Sequence, residues 1–194
     1  MEDRTNPEKL IIDHFAGFIE VSDDLKSQLL RRIKVVQYKK GQVLVKAGKI
    51  CTKSYFLVKG ITKTYFMKED KEVIEYFGSK NQWANSPRSW RTNKPDVYYV
   101  EALENVTALC IKVNDMKFLF DHFPELDRYG RLSMITLLDH LLERITSFRF
   151  TNAEEKYTHF KKTYPKIHHR IPLGMVASYL GISQETLSRT RAKR

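Results

Sequence analysis

No stretch of this sequence is apolar for the ~20 residues that a bilayer-crossing helix needs. Its first residues, MEDRTNPEK, are polar and charged where a secretory leader would be apolar. A cytoplasmic protein with no membrane partner is the expectation. Cysteine is scarce: Cys51 and Cys110 are far apart and form no CxxC or Cys/His cluster, so neither a disulfide framework nor a zinc or iron–sulfur centre is signalled. Both thiols are expected in or near the core, and no cofactor is expected. Acidic residues are the other shortage, 23 against 34 Lys and Arg, for a net charge of +11. Basic surface attracts a polyanion and releases its counterions. From Ala153 to Arg194 there are nine Lys or Arg and three acids, so +6 of that +11 lies in the last 42 residues.

What is present is enough for one large or two small domains: 194 residues, 42% of them hydrophobic. Residues 7–34 carry Leu10, Ile11, Phe15, Phe18 and Ile19, then Leu25, Leu29, Leu30 and Ile33, at helical spacing, with Ser22 placed to cap the second run. The period then changes. From Val35 to Val113, short β-branched and aromatic runs alternate with turns at Gly41, Gly48, Gly60 and Gly78, predicting seven or eight strands in an antiparallel barrel or jelly roll. Asn114 or Asp115 is expected to cap the next helix, and Pro124 to start another. Arg88 and Arg91 fall in NSPRSWRTNKP, which reads as an exposed loop. Trp83, Trp90, Tyr98 and Tyr99 could line a ligand pocket, but large aromatics more often fill a core.

Between Glu125 and Phe150, Met134, Leu138, Leu141, Ile145 and Phe148 step by four and three, a heptad seam; Ile135, Leu137 and Leu142 widen the apolar surface. A single buried helix is one reading of this pattern. Two apolar faces on one helix favour the other, a homodimer. Thr151 or Asn152 then caps a helix from Ala153 to about Tyr164, ended by Pro165, with Tyr157 and Phe160 facing inward. His168 and His169 are adjacent and diverge on any regular element, so a wet loop is expected there rather than a metal site.

The run IPLGMVASYLGISQETLSRTRAKR closes the chain. Pro172 opens a short amphipathic helix bearing Leu173, Val176, Ala177 and Leu180, Gly181 stops it, and Ser183 can cap a second helix from Gln184. Two helices joined by a three- to four-residue turn containing glycine make a helix-turn-helix. Val176, Ile182 and Leu187 are placed to fill the wedge between them, leaving Gln184, Glu185, Ser188, Arg189 and Ala192 on one outward face. Arg can take guanine O6 and N7, Glu can accept from cytosine N4, and Ser can bond base or phosphate. The competing view of this face is a solvated helix on which Glu185 and Arg189 pair across one turn.

The stretch ASYLGISQETLSR resembles the helix-turn-helix of the Crp/Fnr superfamily of bacterial transcription regulators. Glu185, Ser188 and Arg189 fall on the E-x-x-S-R pattern by which its Fnr-like branch reads DNA. YKKGQVLVKAGKICTKSYFLVKGITKTYF, with Gly41, Gly48 and Gly60 in register, is similar to the first strands of that family's cyclic-nucleotide-binding β-roll. TNAEEKYTHFKKTYPKI resembles the helix that opens its DNA-binding domain. The resemblance implies an α+β chain in three parts: a jelly-roll-like sensor at 1–114, a linker and dimerisation helix at 115–150, and a helix-turn-helix domain at 151–194. It implies a homodimer on palindromic double-stranded DNA, with a half-site like TTGA. Ser183, Gln184, Glu185, Ser188, Arg189, Arg191, Lys193 and Arg194 would contact DNA; RNA polymerase and an unidentified small-molecule effector are further implied partners.

Two departures from the family carry meaning. Members that bind cyclic AMP have an F-G-E stretch and an Arg-Ser/Thr-Ala triplet around the phosphate. This chain has Phe77-Gly78-Ser79 and, near the triplet, Pro95-Asp96-Val97-Tyr98, where an Asp would repel phosphate. Cyclic AMP is therefore not the expected effector. Members often continue into a two-stranded wing, for which no residues follow Arg194: the regulator is either short by nature or cut short before its wing, and a short form would lean more on Arg191, Lys193 and Arg194 for phosphate contact. A cupin-like metal-dependent enzyme would need His residues converging in the roll, usually from an H-x-H pair. His14, His122, His140, His159, His168 and His169 all lie outside the predicted strands, so no enzyme is expected. A sensor acting only through protein partners would leave the base-reading face unexplained.

Overall fold

Helix α1 (Pro7–Ala16) begins where the Asn6 side chain accepts hydrogen bonds from the Glu8 and Lys9 amides and Pro7 takes the first helical position. α2 (Asp23–Arg32) is capped by Ser22, whose hydroxyl accepts from the Leu25 amide, as its place ahead of the apolar run predicts. The computed structural model describes residues 6–149 and 152–192. They fall into two compact units, one of residues 6–64 and 77–134, the other of residues 65–76, 135–149 and 152–192.

Eight strands follow α2: β1 (Lys34–Tyr38), β2 (Val43–Val45), β3 (Lys53–Lys59), β4 (Thr62–Lys68), β5 (Lys71–Gly78), β6 (Trp83–Ala84), β7 (Tyr99–Ala102) and β8 (Val106–Lys112). They form two four-stranded sheets, ordered β1-β8-β3-β6 and β2-β7-β4-β5, the interleaved order of a jelly-roll. Tyr55 stands opposite Cys110 and Phe56 opposite Leu109 in the antiparallel β3–β8 pair. The buried run on β3 has a simple cause. Successive side chains point to opposite faces, so Tyr55 and Leu57 join Val100, Ala102, Val106 and Ala108 in one core. Phe56 and Val58 turn to the other side and pack with Leu109 and Ile111, with residues of α1 and α2, and with Met116, Leu119, Leu126 and Tyr129. Cys51 is buried and Cys110 half-buried, both as free thiols.

A hydrogen-bonded aromatic group lies in this first unit. The Trp83 indole N–H donates to the Tyr129 hydroxyl at 2.7 Å, and His14 Nε2 lies 3.0 Å from the same oxygen. Phe15, Phe18 and Phe56 surround the imidazole, and burial holds its pKa below the ordinary histidine value. Trp83 and Trp90 are partly buried against the core that holds Phe56, and Tyr98 and Tyr99 are half-buried.

Three local readings are corrected. Residues 87–92 form a helix, α3 (Pro87–Thr92), because the Ser86 hydroxyl accepts from the Ser89 amide and Pro87 sits at its start. Helix α4 (Val113–His122) is capped by neither Asn114 nor Asp115: β8 runs directly into it, and the Val113 amide is taken by the Thr52 carbonyl. His168 and His169 sit in one turn of 3-10 helix, His168–Arg170, rather than in a loop.

Gly60, between β3 and β4, has φ +99°, and a Cβ there would lie 2.7 Å from the Asn105 carbonyl oxygen and 2.8 Å from Val106 Cα. Backbone strain and overpacking then add. Gly60→Ala is expected to destabilise the protein by ~2–4 kcal/mol, read as a lower denaturant midpoint. An unchanged midpoint would show that this turn shifts at no cost.

In the second unit, α5 (Glu125–Phe148) contributes its residues from Ile135 onward. It is followed by α6 (Ala153–Thr163), the 3-10 turn, α7 (Leu173–Leu180) and α8 (Gln184–Ala192). Asn152 caps α6 by accepting from the Glu155 amide; the alternative cap, Thr151, lies outside the described residues. Phe160 on α6 is fully buried and packs on Tyr164 and Tyr179, with ring centroids 5.2 and 5.4 Å away, while Tyr157 is half-buried. Val176, Ala177, Leu180 and Leu187 are also buried, as their spacing predicts.

Candidate nucleic-acid interface

α7 ends by a Schellman closure. Gly181 takes φ +64°, its amide donates to the Ser178 carbonyl, and the Ile182 amide donates to that of Ala177. Two residues later Ser183 accepts from the Thr186 amide at 3.1 Å and starts α8. The turn between the helices is therefore Gly181, Ile182 and Ser183, with Ile182 half-buried and Leu187 wholly buried on the inner side of α8. This burial sets the rotation of α8 about its own axis.

The outer side follows from that rotation. Ser183, Gln184, Glu185, Ser188, Arg189, Arg191 and Ala192 are all exposed. Lys193 and Arg194, expected at DNA phosphates, lie outside the described residues. The Glu185 carboxyl is held below the ordinary carboxylate range, first by its own backbone N–H, then by the Ser183 hydroxyl, with Arg189 adding its positive charge. No ion pair closes between Glu185 and Arg189 among the described residues. The acid leans toward the cap, so the i,i+4 pairing of a plain solvated helix is not formed. The Gln184 side chain lies over the first turn of α7, where a Cβ on Gly174 would meet its Oε1 at 2.9 Å.

The seam on α5 is solvent-facing in the single chain. Met134, Leu138, Leu141, Ile145 and Phe148 are 48–61% exposed, and Ile135, Leu137 and Leu142 are exposed as well. The single buried helix is thus not what the chain forms. Seven of these eight residues lie in one 14-residue stretch of helix with no cover in the monomer, an apolar surface of the kind that marks an interface.

In the β-roll, Asp96 is buried and engaged at both carboxylate oxygens. One accepts from the Ser86 hydroxyl at 2.6 Å; the other accepts from the Val97 amide at 2.7 Å and pairs with the Arg88 guanidinium. Desolvation pushes its pKa up, but the bonds from Arg88, Ser86 and Val97 outweigh this, so it stays below its ordinary value. Asp96 is therefore a built anion with its own counter-ion.

Sequence reasoning missed two side chains. Arg144 on α5 donates to the Ile74 carbonyl at 3.1 Å, and Ser178 on α7 bonds the backbone of β5 at Glu72 and Ile74. A serine and an arginine on helices carry no motif, so nothing in their spacing could have singled them out.

The fold is an antiparallel β-roll with a long helix and C-terminal helices, and residues 35–123 match the cyclic nucleotide-binding domain family. The solved structures that resemble the chain include Crp/Fnr-family regulators. The c-di-GMP-responsive global regulator CLP of Xanthomonas campestris aligns at TM-score 0.70 and 13% identity, over 89% of this chain and 91% of that one. FixK2 of Bradyrhizobium japonicum aligns at 0.70 and 14%, over 83% of each chain. A CooA mutant of Carboxydothermus hydrogenoformans aligns at 0.67 and 16%, over 85% and 77%. At these identities the likeness is one of fold. No curated protein matches the sequence.

Proposed function

We propose that the protein is a sequence-specific DNA-binding transcription regulator of the Crp/Fnr type. In this reading it acts in the cytoplasm as a homodimer on palindromic sites and does not respond to cyclic AMP. The observation that carries the reading is the exposed polar face of α8, Gln184, Glu185, Ser188 and Arg189, held outward by the burial of Leu187 behind it. Residues 1–114 would be the sensor, 115–150 the linker and dimerisation helix, and 151–194 the reader. Two-fold symmetry places the two α8 helices in successive major grooves about 34 Å apart. RNA polymerase and a small-molecule effector are further partners of a regulator of this kind. The reading is supported by the shared fold with regulators and by the concentration of positive charge after Ala153. Among the described residues no helix is long and apolar enough to cross a membrane, and no three His, Cys, Asp or Glu side chains converge as a metal site requires. The test is selection of bound DNA from a random pool. A palindrome with TTGA-like half-sites is expected, and failure to enrich any sequence overturns the reading.

The cyclic nucleotide prediction rests on Asp96. A phosphate brought beside it would meet a buried carboxylate whose partner, Arg88, is already engaged. Calorimetric titration with millimolar cyclic AMP is expected to show no saturable heat. Tight binding would mean that Arg88 leaves Asp96 for the phosphate or that Arg91 supplies the cation.

A further inference from the structure

β5 ends the sheet ordered β2-β7-β4-β5, so among the described residues one side of its backbone has no strand beside it. In an antiparallel pair, alternate residues turn both their N–H and C=O toward the same neighbour. Glu72 and Ile74 share that parity, and their outward groups meet two side chains. The Ser178 hydroxyl accepts from the Ile74 amide at 3.1 Å and donates to the Glu72 carbonyl at 2.9 Å, as a partner strand's backbone would. Arg144 Nη2 donates to the Ile74 carbonyl at 3.1 Å and lies 3.5 Å from Glu75 Oε2. Its guanidinium sits over the rings of Tyr179, 4.5 Å away, and Phe148, 5.3 Å away. Arg144 Nη1 is buried with no hydrogen-bond partner among the described residues. Burying a cation with an unmade bond is costly, so its other contacts must hold it in one place.

These contacts clamp α7 to an edge strand through the helix that precedes the recognition helix, while the outward face of α8 stays exposed. The grip does not cover the reader; it restricts which way the reader points. We propose that Ser178, backed by Arg144, is a positioning residue for DNA recognition. By holding α7 to the edge of β5 it sets the orientation of α8, and so the half-site spacing that a dimer accepts. The inference rests on the reading of α8 as a DNA-binding element. An ungripped reader still binds one half-site equally well, because its own face is untouched. It pays an ordering cost only when both halves must be engaged together.

The experiment measures binding of the full chain, unmodified and as Ser178→Ala and Ser178→Thr, to palindromes whose half-site spacing is varied one base pair at a time, and to a single half-site. Amide exchange at Ile74 is followed in the same proteins. Ser178→Ala removes one oxygen and leaves no sizeable cavity, so the chain still folds. Its affinity at the preferred spacing is expected to fall by about tenfold, as loss of two hydrogen bonds implies. Its spacing profile flattens, its single half-site affinity is unchanged, and Ile74 exchanges faster; Ser178→Thr, which keeps the hydroxyl, restores each readout. If the unmodified protein shows a sharp spacing optimum and Ser178→Ala shows the same one, or if Ile74 exchange does not change, this inference fails alone. If the unmodified protein binds no palindrome, the DNA reading fails and takes this inference with it.

Discussion

Replacing Leu138 and Ile145 together by glutamate is expected to convert the protein to monomers and to weaken binding to a palindromic site by roughly 10²-fold or more, the scale of avidity that vanishes when two linked sites become one. Both side chains are more than half exposed in the single chain, so the substitutions remove nothing from its core. Their effect falls on the association of two copies. A heptad seam facing its own copy would bury four carboxylates per dimer without partners, which costs far more than the apolar contacts they replace. The measurement is sedimentation equilibrium at micromolar concentration, followed by a shift assay on a full palindrome and on one half-site. A monomeric unmodified protein would dispose of the dimer, and a double variant that still dimerises would move the interface off this seam.

Arg189→Ala is expected to have the other large effect. A bidentate arginine–guanine contact discriminates by ~1–3 kcal/mol, and a dimer forgoes it in both halves, so affinity for the selected site should drop by ~2–6 kcal/mol. The loss should be confined to one base pair per half-site, at which preference relaxes. On the same reading, Glu185→Ala should relax preference at that base pair, since a glutamate carboxylate can accept from the N4 amine of the paired cytosine. Arg191→Ala is the comparison: as a phosphate ligand it should weaken all sequences alike and reduce the salt dependence by roughly one unit for each phosphate no longer neutralised. Binding to single-base variants of the site across a salt series separates the two roles. A uniform loss in Arg189→Ala, with base preferences intact, would make Arg189 a phosphate clamp and would refute the proposed reading of this face.

Both predictions depend on patterns that the sequence carries locally. The helix-turn-helix was legible because Gly181, Ser183 and Leu187 act over three to five residues: a left-handed stop, a cap and an inward anchor together determine which residues of α8 face out. The seam on α5 was legible for the same reason, since a period near 3.5 needs no knowledge of the rest of the chain. Strand positions in the roll could be read from alternation and glycine spacing, but their neighbours could not. β1 beside β8 pairs Lys34 with Cys110, and nothing in either stretch announces the other.

The tertiary structure alone decided the rest. Asp96 as an isolated letter suggests only repulsion of a phosphate; the fold makes it a buried acid bonded to Ser86, Arg88 and Val97, and Ser86 at the same time starts a helix where a loop was expected. Ser178 on α7 is an unremarkable helical serine until β5, 104 residues earlier, presents an edge amide and an edge carbonyl to its hydroxyl. Arg144 is likewise a polar residue on an amphipathic helix, and its carbonyl partner lies 70 residues away. Periodicity, caps and turns are set by neighbours within one or two helical turns, so the sequence by itself determined the elements and which side chains of α8 face outward. Bonds between a side chain and a distant strand edge leave no periodic trace, so only the folded chain determines what holds that face in place.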